Sequence, residues 1–390
     1  MQTSKVLSEQ SIVQLFFELL RASICLSELS AIPSPQEWSL LYGLAQKQSL
    51  VGICFNGLQQ LYENNPEQTA NLPLPLKMQW VGMAAKIQQR NEYMNERCVE
   101  LQAKLLAAGF RNSILKGQGM ATLYAKAHLD FLRQPGDIDV YVDASREEVI
   151  RYAQTLGDAN PDWDYKHLHL KIYKDVEVEV HYVPEVFLNP WKNQKLQRWF
   201  MAHEEDIFDA VIIRRHGIST KTSLVSPSID FNVFYVLLHI YRHFLYEGIG
   251  LRQLLDYYFV LKSYSDTSRS SLLDIQDTIK CFGMERFAKG IMWVLQHVFG
   301  LDAKYLICKT DKKEGEYILS QIMQGGNFGH YDERLKTTKS GKLGTVSKIL
   351  KHNIHLLSHY PLQTICVPIW IVFHFLFKCI MTNRVNSTKQ

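Results

Sequence analysis

The chain has 390 residues, of which 46% are hydrophobic and 21% charged, and a formal net charge of +4. That balance fits a globular protein with a packed core and gives no sign of a low-complexity chain. The small positive charge carries no nucleic-acid signal by itself, although local basic clusters could still hold phosphates.

Seven cysteines, Cys25, Cys54, Cys98, Cys281, Cys308, Cys366 and Cys379, are scattered and form no C-x-x-C pair. This argues against a zinc site and a disulfide framework, and the expected location is a reducing cytoplasm. Met1 to Gln10 is polar, without the apolar run of a secretory signal. Ser11 to Leu29 reads as an amphipathic helix, with Ile12, Leu15, Phe16, Leu19 and Leu20 at helical spacing. Ser34-Pro35-Gln36-Glu37 is a helix start, with Pro at the first position. Helices are expected to Gln48, from Leu50 to Tyr62, and from Lys77 to Ala108, ending at Gly109. The helical region 1–109 is expected to pack on the core that follows.

Asn112 to Leu115 reads as a short strand, and Lys116-Gly117-Gln118-Gly119 turns it into a helix reaching Lys126. Glycines at a helix start let backbone N–H groups approach phosphate oxygens, though the Gly-Lys-Ser/Thr ending of a Walker loop is absent. Arg133-Gln134-Pro135-Gly136 is a turn that feeds the strand Asp137-Ile138-Asp139-Val140-Tyr141-Val142. A strand has a side-chain period of two, so Asp137 and Asp139 project from one face. Two carboxylates so close repel each other unless a divalent cation turns the repulsion into coordination. The plain alternative is an Asp-rich turn beside a half-exposed strand.

These residues resemble a known family. Leu115-Lys116-Gly117, Leu123-Tyr124, Arg133 and Gly136-Asp137-Ile138-Asp139-Val140 look like the uncharacterised nucleotidyltransferase family of bacterial proteins, a branch of the polymerase-beta-like superfamily. Weaker echoes are Glu179-Val180-His181, His239 and His243 with Arg252 and Asp256, and Gly326-Asn327-Phe328-Gly329. The resemblance implies Mg²⁺, with Mn²⁺ as its substitute, held by Asp137, Asp139 and a third carboxylate. Glu179 is the choice for that carboxylate and for the general base, because the family places an acid two residues before the His. The family's acid is usually Asp, and most superfamily members carry Gly-Ser where this chain has Lys116-Gly117. Lys116, Gly117, Arg133, Gly136 and Arg252 are the expected nucleotide contacts.

Arg146 to Leu156 reads as a helix capped by Ser145. Asp164–Tyr173 and Val176–Tyr182 read as a hairpin turning at Lys174-Asp175. Glu177, Glu179 and His181 share one face, a costly arrangement unless that face lines a site. Glu177 is read as a plain exposed strand residue. His167, His169 and His181 form a weaker candidate metal set. Trp191–Asp206 is expected to be helical, and Ala210–Ile213 with Thr220–Val225 to form a second hairpin. Ser228 and Asp230 open a helix to Tyr246, on which His239 and His243 share a face with no zincin Glu. They are expected to be packed or substrate-facing. Arg252 could clamp a triphosphate or pair with Asp256 at i+4.

Further helices are expected at 271–282, 285–299 and 314–323, then a glycine-rich loop from Gln324 to Gly329 and a basic solvated run from Lys336 to Lys351. His352 to Phe377 contains no charged Asp, Glu, Lys or Arg. It is read as a core or interfacial helix in preference to a membrane span, which leaves a peripheral membrane contact open.

The whole reads as an α+β protein. Residues 110–226 would form a mixed-sheet nucleotidyltransferase core, between helical regions 1–109 and 227–390. The expected activity is transfer of a nucleoside monophosphate from a nucleoside triphosphate to an unidentified hydroxyl acceptor. The alternative is a catalytically silent nucleotide-binding regulator or accessory protein of the same fold.

Overall fold

A computed structural model of the chain describes residues 9–25, 27–215, 218–267, 271–335 and 341–387. In chain order the elements are α1 (Glu9–Cys25), α2 (Pro35–Lys47), α3 (Val51–Asn64), α4 (Leu74–Ala107), β1 (Asn112–Ile114), α5 (Gln118–Ala121), β2 (Ile138–Val142), α6 (Arg146–Thr155), β3 (Asp162–Trp163), β4 (His167–His169) and β5 (Val178–His181). There follow α7 (Pro190–Ala202), β6 (Asp209–Arg215), β7 (Ile218–Ser226), α8 (Ile229–Tyr246), α9 (Leu251–Thr267), α10 (Leu272–Cys281), α11 (Glu285–Phe299), α12 (Lys312–Gly325), α13 (Gly341–Leu356) and α14 (Pro361–Ser387). The protein is α+β, helix-rich with a small mixed sheet.

The chain forms two compact units, both discontinuous. The first holds Met1–Tyr93, Met120–Pro135 and Ile249–Tyr331; the second holds Met94–Gly119, Gly136–Gly248 and Asp332–Gln390. These units cut across the three consecutive blocks read from the sequence.

The first unit is helical. Ser34 caps α2 in a capping box with Glu37, as the Ser-Pro-x-Glu pattern predicts. Phe16, Leu19 and Leu20 of α1, Trp38 and Leu41 of α2, Leu254 and Leu255 of α9, and Leu295 of α11 are buried in its core. The segment 120–135 is anchored there by Asn91, whose Nδ2 donates to the carbonyls of Phe131 and Arg133 at 2.8 and 2.7 Å.

The second unit holds a five-stranded sheet in the order β1-β2-β5-β4-β3. The pair β2/β5 is parallel, and the other pairs are antiparallel. Val140 and Val142 of β2, Val178 and Val180 of β5 and Leu168 of β4 are buried. The alternate positions carry Asp139, Glu179, His181, His167 and His169. The period of two therefore sorts apolar from ionisable groups across three adjacent strands. Strands β6 and β7 form a separate hairpin, as expected. Ser145 caps α6 in a capping box with Glu148, and Ser228 caps α8 by accepting from the Phe231 N–H.

Several expectations are corrected. The helix after Gly117 is a single turn, Gln118–Ala121, followed by a 3₁₀ stretch to Ala127. Gly119 lies against β1 here: a Cβ on it would come within 2.8 Å of the Ile114 carbonyl. So short a helix offers little dipole to a phosphate. The hairpin strands shrink to His167–His169 and Val178–His181. The basic run is partly the helix α13, and its residues 336–340 lie outside the described ones. Of the two readings of the last apolar segment, core or interfacial, the core one does not fit, because among Pro361–Met381 only Thr364, Val367 and Trp370 are buried.

Candidate functional site

The site begins with the register of β2 against β5. Asp139 is the partner of Glu179, and Tyr141 of His181. Opposite, β4 places His167 across from His181 and His169 across from Glu179. Asp137 stands exposed just before β2. Asp137, Asp139 and Glu179 each offer a carboxylate oxygen, and these oxygens lie within 4.8 Å of one another.

The loop after β1 closes on this cluster. The Leu115 N–H donates to the Asp139 carbonyl at 2.9 Å, which sets Lys116 beside β2. Lys116 Nζ then meets Asp139 Oδ1 at 2.8 Å. Gly117 has φ +57°, and a Cβ there would touch the Asp137 carbonyl at 3.4 Å. A glycine suits this left-handed position.

Histidines support the acids. His181, fully buried, brings Nε2 to 2.9 Å from Asp139 Oδ1 and 3.3 Å from Glu179 Oε2. His167 Nδ1 is 3.4 Å from Glu179 Oε2, and His169 Nδ1 is 3.1 Å from Glu177 Oε1. The set of three histidines read from the sequence is replaced by His167, Glu179 and His181, which lie close enough to hold an ion. His169 belongs instead with Glu177 and Glu179.

The electrostatics separate the carboxylates. Repulsion from Asp139 pushes Asp137 up to about 6, although its outer surface is exposed. Burial opposes the charge on Asp139, but Lys116 and His181 hold it well below the usual carboxylate range. Burial likewise opposes the charge on Glu179, yet the His181 hydrogen bond brings it down to about 2. Burial, reinforced by His181, lowers His167 to about 3. Lys116 loses to burial but gains from Asp139 and Asp137, and ends raised. Asp139 and Glu179 are thus held below the usual carboxylate range and Asp137 above it.

A second buried cluster escaped the sequence reading. Glu185 Oε1 meets Arg242 Nε at 2.9 Å and Lys166 Nζ at 3.4 Å, and Glu185 Oε2 meets His239 Nδ1 at 2.9 Å. Burial opposes the Glu185 charge, and Arg242 and Lys166 still hold it well below the usual range. Burial, with Arg242 nearby, lowers Lys166. His239 and His243 are therefore packed, the latter against Glu247. The available signal was Arg242 three residues after His239 on an otherwise apolar helix.

Gly136 opens a segment of the second unit, whereas Arg133 and Arg252 lie in the first. Arg133 grips Asp256 with Nε and Nη2 at 2.7 and 2.8 Å, and the Tyr124 hydroxyl donates to Asp256 at 2.7 Å. Arg252 Nη1 donates to the Gln134 carbonyl at 2.8 Å. Arg133, from a distant segment, is thus an Asp256 partner that the i+4 reading did not name.

The profile of the uncharacterised nucleotidyltransferase family matches residues 34–300. The chain belongs to this family. No curated protein and no solved structure gives a match. Membership makes a nucleotide the implied substrate and a divalent metal the usual cofactor of such enzymes. The donor set fits one: three convergent carboxylates are the oxygen ligands that hard divalent cations take.

Proposed function

We propose that this member of the family is a Mg²⁺-dependent nucleotidyltransferase acting on a nucleoside triphosphate and a hydroxyl acceptor. The observation that carries the reading is the convergence of Asp137, Asp139 and Glu179 within 4.8 Å. When bound there, Mg²⁺ would neutralise the triphosphate and favour ionisation of the acceptor hydroxyl. The acceptor oxygen forms a bond to the α-phosphorus, the bond to the α–β bridging oxygen breaks, and pyrophosphate leaves.

Asp139 and Glu179, held ionised by Lys116 and His181, supply the ligands. Lys116 also stabilises charge on the phosphates, and the Gly117 and Gly136 backbone lets them approach. The general base needs hydrogen-bond reach of the acceptor's proton, and a carboxylate of the cluster, Glu179 or Asp137, accepts it.

A second reading, a silent nucleotide-binding regulator, draws on one feature. Asp139 Oδ1 is already met by Lys116 and His181 at 2.8 and 2.9 Å, so the cluster is partly neutralised without a metal. Incubation with each of four labelled triphosphates and Mg²⁺ separates the two readings. Release of pyrophosphate with label transferred to an acceptor, or to the protein itself, supports the enzyme. Tight retention of intact triphosphate with no release supports the regulator.

A further inference from the structure

The C-terminal part of the second unit carries features that a transfer site does not require. On α14, Leu362, Ile365, Ile369, Val372, Leu376 and Ile380 are each more than half exposed. Their spacing of three and four places them in one stripe along the helix. A continuous apolar stripe on a surface marks a docking face.

The opposite side of α14 is already occupied. Val367 and Trp370 are buried, and the rings of Trp370 and Phe377 stand edge-on to Tyr165 at 5.4 and 5.2 Å. Lys378 Nζ reaches Asp162 Oδ1 at 3.1 Å. A helix tied along its length in this way lies flat. Its length and composition would let it cross a membrane, but crossing would break those ties.

Charge identifies the occupant. Residues 334–390 hold nine Lys and Arg and no Asp or Glu. The chain as a whole is only +4, so the rest of it is net acidic. Lys348 and Lys351 of α13 belong to this basic stretch and are not buried. A second copy packed stripe against stripe would bring the same positive charge and be repelled, whereas an anionic lipid surface offers both the apolar phase and the counter-charge. Leu362 and Ile365 of the stripe also line a cleft of about 310 Å³, together with Phe187, Leu238, Lys192 and Arg242. Its apolar walls suit an acyl chain.

We propose that α13 and α14 dock this protein on an anionic lipid surface, with the α14 stripe lying in the membrane plane. The test is flotation of the full chain with vesicles of phosphatidylcholine, alone or mixed with phosphatidylserine. Binding to the anionic vesicles should be stronger by about tenfold or more, weaken with salt, and be released by alkaline carbonate. The triple variant Ile365→Ser, Ile369→Ser, Val372→Ser changes exposed positions. It should keep the wild-type circular dichroism and lose about tenfold or more of the binding. Equal binding to both vesicles, carbonate-resistant insertion, or wild-type binding by the triple variant overturns the proposal. A chain that ignores vesicles and forms a dimer abolished by the triple variant overturns it too, because a second copy then covers the stripe.

Discussion

His181 Nε2 lies 2.9 Å from Asp139 Oδ1, and both side chains are buried. The two come from strands paired in parallel, where His181 is registered against Tyr141, two residues beyond Asp139. The same nitrogen is 3.3 Å from Glu179 Oε2. One imidazole thus spans two of the three carboxylates and fixes their separation. His181→Phe removes that bridge and leaves Asp139 with Lys116. We expect it to cost about 1–3 kcal/mol of stability, the usual penalty for an abandoned buried partner. Mg²⁺ affinity should fall with it, since the two oxygens lose their common support. Urea unfolding and Mg²⁺ titration of the variant check both effects; unchanged values in both would remove His181 from the site.

Asp137 and Asp139 differ in exposure, and so should their substitutions. Asp137→Asn removes the outer ligand from a chain whose buried network is intact. Mg²⁺-dependent triphosphate binding should weaken by about tenfold or more, with stability unchanged or slightly improved because a repulsion is gone. Calorimetry with and without Mg²⁺ reads the affinity. Equal affinity for wild type and variant, under both conditions, would end the metal assignment.

The raised value of Asp137 also sets a pH dependence. In the folded chain it holds its proton up to about 6, above its ordinary value of 3.8. A proton bound more tightly when folded favours the fold at low pH, and that contribution is lost as pH rises through about 6. Metal needs the ionised form, so Mg²⁺ affinity should rise as pH increases through the same range, with a proton released on binding. Calorimetry in buffers of different ionisation enthalpy measures that proton. Asp137→Asn should flatten the profile.

How far the sequence revealed this site depended on how local each signal was. Asp137 and Asp139 were legible because a strand of period two fixes their face within three residues. The caps Ser34, Ser145 and Ser228 were legible for the same reason. The Glu185 cluster was not, because its members come from the residue before β4, the loop after β5 and α8, too far apart in sequence for a local pattern to join them. The Arg133–Asp256 pair was not legible because i+4 spacing names a local partner and cannot see one 123 residues away. The exposure of α14 was hidden because an apolar helix has one composition whether it faces a core or a surface.

That Arg133–Asp256 pair carries a stability prediction. Asp256→Asn leaves a buried guanidinium without its counter-charge, and we expect a loss of about 3–5 kcal/mol. Tyr124→Phe removes one donor to the same carboxylate and should cost about 1 kcal/mol. Urea midpoints test the order. If Asp256→Asn unfolds with the wild type, the pair contributes nothing to the fold, and a ligand-directed role for Arg133 gains ground.

The last prediction separates Glu179 from Glu177. Glu179 on β5 and Glu177 just before it alternate in step with His181, so period two alone does not choose between them. Their surroundings do. Glu179 is half-buried, within reach of His181 and His167 and with an oxygen inside the Asp137–Asp139 set. Glu177 is exposed and pairs with His169. Glu179→Gln keeps the shape and removes a ligand charge, so Mg²⁺ affinity should fall and transfer should be lost. Triphosphate retained through Lys116 should fall less, because only interactions strengthened in the transition state change the chemical step. Glu177→Gln should leave both within about twofold, since an exposed pair of this kind contributes little. Parallel measurement of Mg²⁺ affinity, triphosphate retention and pyrophosphate release on the two variants decides the matter. If Glu177→Gln is the damaging change, or if both are silent, the third ligand lies elsewhere and the transfer reading loses its metal site.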